Sequence, residues 1–363
     1  MEQKPTGLLA RLTVSAVALA VFTAVLVVPP QPEESHVTAL APAVLESIPS
    51  AARAEEEGRI GNKVIPMGCA VGIKLFSDGV LVVGLAEGAC PARQMGLQAG
   101  DVITHINGTE VDTIEQTQTL LDTLAGQQLT LKVNRADKEI TLTGAAGQPV
   151  GGGQVLGAWI RDSMAGIGTM TFYDPGTDRF GALGHGINDV DTARLMTLAS
   201  GSIMPANVVD VKKGAKGKPG ELHGQFDLEH DLGTLYANTG SGVFGTLADT
   251  DLVTNAKPVP VAKRSQVHTG KATILSNVAG QAVEEYEVEI VRIYPRTEGE
   301  RRNLMVKVTD KRLLDCTGGI VQGMSGSPIL QDGRLVGAVT HVLVNDPTRG
   351  YGILMETMLD AAG

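Results

Sequence analysis

Short alternating strands separated by glycine dominate residues 147–363, and this pattern restricts the fold more than any other feature of the sequence. The clearest strands cover residues 168–173, 286–294, 304–308 and 335–344. No helical pattern longer than a turn or two interrupts them. The chain has 45 glycines but only 6 Phe, 5 Tyr and 1 Trp, so its cores must be filled mainly by Val, Ile, Leu and Ala. Short strands joined by glycine turns are typical of all-β barrels or sandwiches.

The overall charge and composition exclude two classes of protein. The 363-residue chain has 30 basic and 40 acidic side chains and a formal net charge of −10, which argues against a protein that coats nucleic acid. With 43% apolar and 19% charged residues, the chain can build packed cores and is not disordered as a whole.

The three cysteines, Cys69, Cys90 and Cys316, are too few and too scattered for a disulfide framework. Cys69 and Cys90 can pair, or all three can be small buried side chains; the residues leave both alternatives open. The sequence contains no C-x-x-C pair, and its histidine spacing fits no zinc motif. We therefore expect no metal site and no cofactor.

The N-terminal region combines a membrane segment with a linker. Residues 12–28 contain no charge, follow Lys4 and Arg11 and end at Pro29, and a helix of this length just spans a bilayer core. The positive charges predict that residues 1–30 form a cytoplasmic N-terminus and transmembrane anchor, with the rest of the chain exported. A cleaved signal peptide is the alternative, because residues 39–41 read Ala-Leu-Ala. Residues 31–60, rich in Pro, Ala, Glu and Ser, predict an exposed linker that a protease can cut.

A small peptide-binding module is predicted for residues 61–146. A glycine-containing loop runs into a strand that ends near residue 75, a Ser-Asp-Gly turn follows at 77–79, and a second strand covers 79–83. Residues 91–103 read P-A-x-x-x-G-L-x-x-G-D-x-I and residues 106–108 read I-N-G, which resembles bacterial PDZ domains. Helical spacing over 113–124 and alternation over 129–133 and 140–142 complete the α+β pattern.

The PDZ resemblance implies a groove in which an extended peptide adds to a sheet edge opposite the helix. The loop and strand of that groove would be Met67, Gly68, Cys69, Ala70, Val71 and Gly72, and the opposite wall would include Ile114 and Leu121. A PDZ fold that packs on its own chain and binds no free peptide is the alternative.

A glycine-rich segment at residues 318–330 carries the candidate nucleophile in a G-x-S-G-S-P core. A serine flanked by small residues on a tight turn can expose its hydroxyl, and glycine lets backbone N–H groups converge into an oxyanion hole. The core resembles the G-D-S-G-G-P of chymotrypsin-type proteases. By that resemblance Ser325 is the nucleophile, and the N–H groups of Gly323 and Ser325 are the oxyanion donors. Ser327 is the alternative nucleophile.

A serine of ordinary pKa needs a base, and seven histidines are available. His185 is bracketed by glycines that leave room for a substrate, and it precedes Ser325 in the order expected if each comes from one half of a double barrel. Thr340 and His341, on the strand after the serine, are predicted to line the substrate cleft. Spacing does not select the orienting carboxylate; the candidates include Asp189, Asp191, Asp210, Asp227, Asp231, Asp249, Asp251, Asp310 and Asp315.

Four longer motifs together resemble the SpoIVB-type serine peptidases of spore-forming bacteria. They are F-G-A-L-G-H-G at 180–186, V-T-D at 308–310, T-G-G-I-V-Q-G-M-S-G-S-P-I at 317–329 and G-A-V-T-H-V-L-V-N-D-P-T-x-G-Y-G at 337–352. The resemblance implies a mainly β protein with a chymotrypsin-like double β-barrel protease domain at 147–363, preceded by a small α+β PDZ domain and an N-terminal transmembrane helix. It also implies that His185 is the base, Asp310 the orienting acid and Ser325 the nucleophile.

The resemblance further implies an exported, membrane-anchored serine endopeptidase that needs no cofactor. Such an enzyme would lie between forespore and mother cell, cut its own N-terminal region and so be released. It would then cleave a membrane-associated regulator of an intramembrane protease, so that a sigma-factor precursor is processed. Its partners would be these protein substrates and the membrane, not nucleic acid.

Two other function classes are weighed against this one. A quality-control protease with a PDZ domain would carry that domain after the protease domain, whereas here it comes before. A non-catalytic PDZ adaptor with a decayed barrel is disfavoured because His185 and Ser325 are both retained in glycine-rich settings.

Overall fold

The computed structural model describes residues 60–147, 155–253, 256–295 and 302–363. The predicted membrane anchor at 12–28 and almost all of the predicted linker lie outside the described residues. Within these four ranges, no helix is both long enough and apolar enough to cross a membrane.

The protein is mainly β. Its strands are β1 (Lys63–Pro66), β2 (Ala70–Leu85), β3 (Val102–Ile106), β4 (Thr109–Glu110), β5 (Gln128–Arg135), β6 (Lys138–Ala145), β7 (Ala158–Asp174), β8 (Arg179–Ala182), β9 (Ser200–Lys212), β10 (Glu221–Phe226), β11 (Gly233–Thr239), β12 (Gly242–Leu247), β13 (Val259–Pro260), β14 (Gly270–Ser276), β15 (Glu284–Ile293), β16 (Leu304–Val308), β17 (Pro328–Gln331), β18 (Arg334–Leu343) and β19 (Asp346–Leu354). The helices are α1 (Pro91–Gln94), α2 (Ile114–Thr123), α3 (Lys311–Thr317) and α4 (Met355–Asp360), with short 3-10 turns at Asp251–Val253 and Arg264–Gln266.

The first barrel is a ring of antiparallel strands in the order β2-β7-β8-β12-β11-β9, closed by pairing of β9 with β2. β1 pairs with the end of β7, and β10 pairs with β9. The interior is largely aliphatic, and Ile73, Leu75, Met170 and Val243 are almost completely buried there. Aliphatic packing therefore replaces the aromatic residues that the chain lacks.

The second barrel is closed by β14-β15-β16-β19-β18-β17. Strand β15 shows how the sequence specifies it, because buried Tyr286, Val288 and Ile290 alternate with exposed glutamates and so direct one face of the strand inward. Both rings have the same strand order when their strands are counted along the chain. The fold is thus the double barrel that the family resemblance implies, but the first barrel includes β2, which lies before the predicted domain boundary at residue 147.

A small α+β module is inserted between the first two strands of the first barrel. The second half of β2 pairs with β3, β3 with β5, and β5 with β6. Helix α2, predicted over 113–124, begins after Thr113, which forms a capping box with Gln116. The module has its own apolar core, which includes Val82 and Leu131. The chain returns to the barrel through β7.

The structure differs from the prediction that residues 67–75 belong to this module. β2 is one continuous strand, in which residues 70–76 pair with β7 on one side and residues 71–76 pair with β9 on the other. The first barrel therefore occupies both edges of this segment. The turn predicted at 77–79 is instead a register shift within the strand, between Phe76 and Leu81.

The cysteines are free thiols, so the alternative in which Cys69 pairs with Cys90 is wrong. Cys90 is buried in the core of the inserted module, whereas Cys69 packs against the core of the first barrel. The two residues thus belong to different cores. Burial raises the pKa of the Cys69 thiol to about 12.

Helix α3, which follows β16, begins at an acidic N-cap. The carboxylate of Asp310 accepts a hydrogen bond from the backbone N–H of Arg312 at 2.8 Å and forms an ion pair with its guanidinium at 2.9 Å. The backbone N–H of Glu287 is a further donor at 3.3 Å. Chiefly because of the side-chain hydrogen bonds from Arg312, the pKa of Asp310 is lowered to about 2. A carboxyl group shifted in this direction stabilises the fold above its unfolded pKa, and the contribution is lost as the pH falls toward the folded value.

Replacing Asp310 with alanine should destabilise the second barrel by about 1 kcal/mol, because α3 loses its cap. Asparagine can still accept the backbone hydrogen bond, so Asp310→Asn should cost less. The measurement is thermal unfolding at neutral pH, with Ser325→Ala present in every variant to remove self-proteolysis. An alanine variant that melts at the temperature of its parent would contradict the assignment of Asp310 as the stabilising N-cap of α3.

Candidate active site

The two barrels meet along β7, and this contact brings the predicted base and nucleophile into one region. His185 follows β8 of the first barrel, and Ser325 precedes β17 of the second. The backbone of Thr169 on β7 forms hydrogen bonds with Ser325 and with the segment that precedes His185. Its N–H donates to the carbonyl of Ser325 at 3.0 Å, and its carbonyl accepts from the N–H of Leu183 at 3.1 Å. Each barrel thus contributes one of the two residues.

Ser325 lies on a tight loop bounded by glycine. Gly323 and Gly326 have φ angles of +97° and +99°, which favour glycine. A Cβ atom on Gly326 would collide with the carbonyl of Thr169. The side chain of Ser325 is half-buried, and its Oγ donates a hydrogen bond to the carbonyl of Thr340 at 2.7 Å.

The backbone N–H groups of Gly323 and Ser325 are free to bind an oxyanion. Neither donates a hydrogen bond to another residue in the described part of the chain. By contrast, the N–H of Met324 donates to Val321 at 3.2 Å, and that of Gly326 donates to Val339 at 2.8 Å. Unused N–H groups beside a serine hydroxyl are what an oxyanion hole requires.

The alternative nucleophile, Ser327, is placed differently. It is fully buried, and its Oγ donates to the Oγ of Ser276 at 3.1 Å. A substrate carbonyl cannot reach a buried and hydrogen-bonded hydroxyl without local opening. The geometry therefore favours Ser325.

His185 has the tautomer that a general base needs. Its Nδ1 lies 2.8 Å from the carbonyl of Gly186, and because a carbonyl only accepts, Nδ1 carries the proton and Nε2 has a free lone pair. Burial lowers the pKa of His185, and the Gly186 carbonyl opposes this shift only in part. The imidazole is thus neutral and able to accept a proton at neutral pH.

The two residues predicted to line the cleft lie beside this pair. The rings of His341 and His185 have centroids 5.0 Å apart and are tilted by 42°. Burial, with smaller effects from His185 and Arg302, lowers the pKa of His341 to about 3. His341 is therefore neutral at pH 7 and adds no charge next to the base. Thr340, its neighbour, supplies the carbonyl that accepts the Ser325 hydroxyl.

No carboxylate forms a hydrogen bond or ion pair with His185 among the residues that the structure describes. Asp310 is bound by Arg312 and Glu287. Asp189, the nearest carboxylate along the chain, is buried and pairs with Arg161 and the N–H of Thr192. The role of Asp310 as the orienting acid stays a prediction from the family resemblance.

Sequence reasoning missed two residues that position the site. Asn238 on β11 holds the segment after His185, because its amide pairs with both the N–H (2.8 Å) and the carbonyl (3.0 Å) of Ile187. Thr169 on β7 holds the loop of Ser325. Both lie far along the chain from the residues they position, and neither belongs to a motif with a known spacing, so the sequence alone carries no signal for them.

The inserted module places different residues next to its helix than the sequence predicts. Residues 158–161 of β7 pair with 81–85 of β2, and the N–H of Ile114, at the start of α2, donates to Asp162 of β7 at 2.9 Å. Strand β7 is thus the neighbour of α2, whereas residues 67–72 lie at the first barrel. Ile114 is partly exposed, and Leu121 is buried in the core of the module.

The residues that the structure describes contain no cluster of three or more His, Cys, Asp or Glu side chains with the geometry of a metal site.

Three of the solved structures that are similar to this chain have low sequence identity to it. The active form of the Rv3671c protease from M. tuberculosis is 15% identical over 55% of this chain and 75% of its own, with a TM-score of 0.32. The HtrA-type protease AlgW, solved with a decapeptide, is 11% identical over 55% of this chain and 52% of its own, with a TM-score of 0.33. Human heparin binding protein is 12% identical over 51% of this chain and 74% of its own, with a TM-score of 0.25.

A search of curated proteins found no match, whereas two protein-family models match this chain. The model of a PDZ domain matches residues 83–135, which lie in the inserted module. The model described as SpoIVB peptidase S55 matches residues 153–359, which is more than half of the chain. The protein therefore belongs to the SpoIVB peptidase S55 family and is a serine endopeptidase with a PDZ domain.

Proposed function

We propose that this protein is a membrane-anchored signalling protease in which Ser325 is the nucleophile and His185 the general base. It cuts its own N-terminal region and then a membrane-associated regulator during spore formation. The observation that carries the catalytic part is the meeting of three features at one junction. These are a hydroxyl on a glycine-bounded loop, a neutral imidazole with a free Nε2, and two unused backbone N–H groups.

The catalytic steps follow from this geometry. The Ser325 hydroxyl first rotates away from the Thr340 carbonyl and donates to Nε2 of His185. As Oγ attacks the scissile carbonyl, the proton moves to Nε2, and the N–H groups of Gly323 and Ser325 bind the oxyanion. The imidazolium then gives its proton to the leaving amine, which departs and leaves an acyl-enzyme. Water activated by His185 hydrolyses this ester and restores the free serine.

The position of the linker supports cleavage within the same chain. The described chain begins at Ile60, which packs against the apolar core shared by the two barrels, and the N–H of Gly61 donates to Asp174 at the end of β7 at 2.9 Å. The predicted linker at 31–60 therefore ends at a residue that packs on the protease barrels. A substrate segment tethered to the same chain has a high effective concentration at the active site when the tether can span the distance.

The cellular role rests on the sequence and on family membership. The charge pattern around residues 12–28 predicts an anchor with the catalytic domain outside the cytoplasm. We place the enzyme at the membrane facing the space between forespore and mother cell, from which self-cleavage would release it. Its further substrate would be a regulator of an intramembrane protease, and the PDZ domain would bind a peptide segment of that protein or of the linker.

The self-cleavage proposal predicts that the full-length chain, expressed with its N-terminal segment, yields discrete N-terminal fragments and that Ser325→Ala yields none. Loss of the nucleophile typically lowers kcat on the order of 10⁶-fold. Ser327→Ala is the matched control, because that buried serine lies on the same loop and should leave cleavage intact. The measurement is N-terminal sequencing of the fragments. Identical fragments from the parent and Ser325→Ala would refute both self-cleavage and the assigned nucleophile.

The lowered pKa of His185 predicts the pH dependence of cleavage. His185 acts as a base only when neutral, and burial disfavours its charged form. As the pH is raised, kcat/KM for a peptide substrate should therefore increase with a midpoint below the ordinary histidine pKa of about 6.5. It should reach a plateau near pH 7. A midpoint above 7 would show that a nearby negative charge governs this histidine instead.

A further inference from the structure

We propose that Thr169 is a positioning residue whose side-chain hydroxyl holds the oxyanion hole in its active shape. The inference rests on the proposed nucleophile, Ser325, and adds a role for a residue on the opposite barrel. Thr169 lies on β7 and is 1% exposed, so it touches no substrate. Its Oγ1 donates to the carbonyl of Gly323 at 2.8 Å.

Four successive carbonyl groups of the nucleophile loop are each held by one donor. The carbonyl of Gln322 accepts from the N–H of Leu222 at 2.9 Å, and that of Met324 accepts from Ser327 at 3.0 Å. The other two carbonyls, of Gly323 and Ser325, are both held by Thr169, one through its hydroxyl and one through its N–H. Among these four donors, only the Thr169 hydroxyl belongs to a side chain, and the other three are backbone N–H groups.

The peptide plane held by the hydroxyl is the one that matters for the oxyanion hole. It lies between the two proposed donors, because the Gly323 N–H precedes it and the Ser325 N–H follows it. Rotation of this plane would change ψ of Gly323 and φ of Met324 and turn the two N–H groups apart. Glycine places little steric restriction on such a rotation. The Met324 N–H at the other side of this plane donates to Val321 at 3.2 Å, and the buried hydroxyl of Thr169 adds a shorter hydrogen bond that restricts the rotation further.

The same strand contains an almost ideal control residue. Thr171 is also on β7 and is fully buried, but its Oγ1 has no hydrogen-bond partner in the described residues. Thr169→Val and Thr171→Val therefore make the same chemical change at similar burial in one strand. Only the first removes a hydrogen bond to the nucleophile loop.

The test measures cleavage of a soluble peptide substrate and inhibition by a peptide boronate, whose tetrahedral adduct places an oxygen in the oxyanion hole. Thr169→Val should lower kcat by about 10- to 100-fold, which is less than the loss expected from deleting an oxyanion donor. KM should stay within about twofold, because ground-state binding does not use the hole. Boronate affinity should fall by about the same factor as kcat/KM. Thr171→Val should match the parent in all three values.

A second pair of variants tests the proposal if Thr169→Val does not fold. Thr169→Ser and Thr169→Ala both lose the methyl group, but only serine keeps the donor. The proposal predicts near-parental kcat for the serine variant and the loss described above for the alanine variant. Equal kcat values in this pair, or equal losses in Thr169→Val and Thr171→Val, would overturn it. Activity remaining in Ser325→Ala would instead refute the nucleophile itself, so the two failures are distinguishable.

Discussion

The active site depends on the contact between β7 of the first barrel and the nucleophile loop of the second. The base and the nucleophile belong to different barrels, and the apolar core that these barrels share does not by itself orient the two catalytic segments. Backbone hydrogen bonds of Thr169 to Ser325 and Leu183 tie both segments to one strand. The glycine at 326 is required there, because a side chain would collide with that strand. Catalysis by this chain therefore requires that the barrels stay docked.

The site contains two half-buried histidines, His185 and His341, that are both neutral at pH 7. Burial lowers the pKa of both His185 and His341, so neither imidazole carries a positive charge at neutral pH. The backbone carbonyl of Gly186 holds the Nδ1 proton, where serine proteases with a full triad use a carboxylate. A carbonyl orients the ring but stabilises the imidazolium less than a carboxylate does.

Much of the site is predictable from local sequence, because its chemistry needs small residues at fixed positions. The glycines of the sequence indicate the tight loop that carries Ser325 and the turn that carries His185. The double barrel followed from strand alternation and family resemblance. The sequence does not predict where residues 67–75 lie, because an alternating strand can form the edge of a PDZ sheet or a strand of a barrel. Only the pairing of this segment with β7 and β9 shows that it belongs to the barrel. Thr169 was missed for a similar reason, since its role comes from a contact between distant segments.

The most direct test of the proposed active site is a crystal structure of the protein after reaction with a peptidyl phosphonate. One covalent bond should form, to Oγ of Ser325, with the phosphonyl oxygen within hydrogen-bond distance of the N–H groups of Gly323 and Ser325. Nδ1 of His185 should still donate to the Gly186 carbonyl. Modification at another residue, or a phosphonyl oxygen that points away from both N–H groups, would contradict the proposed active site.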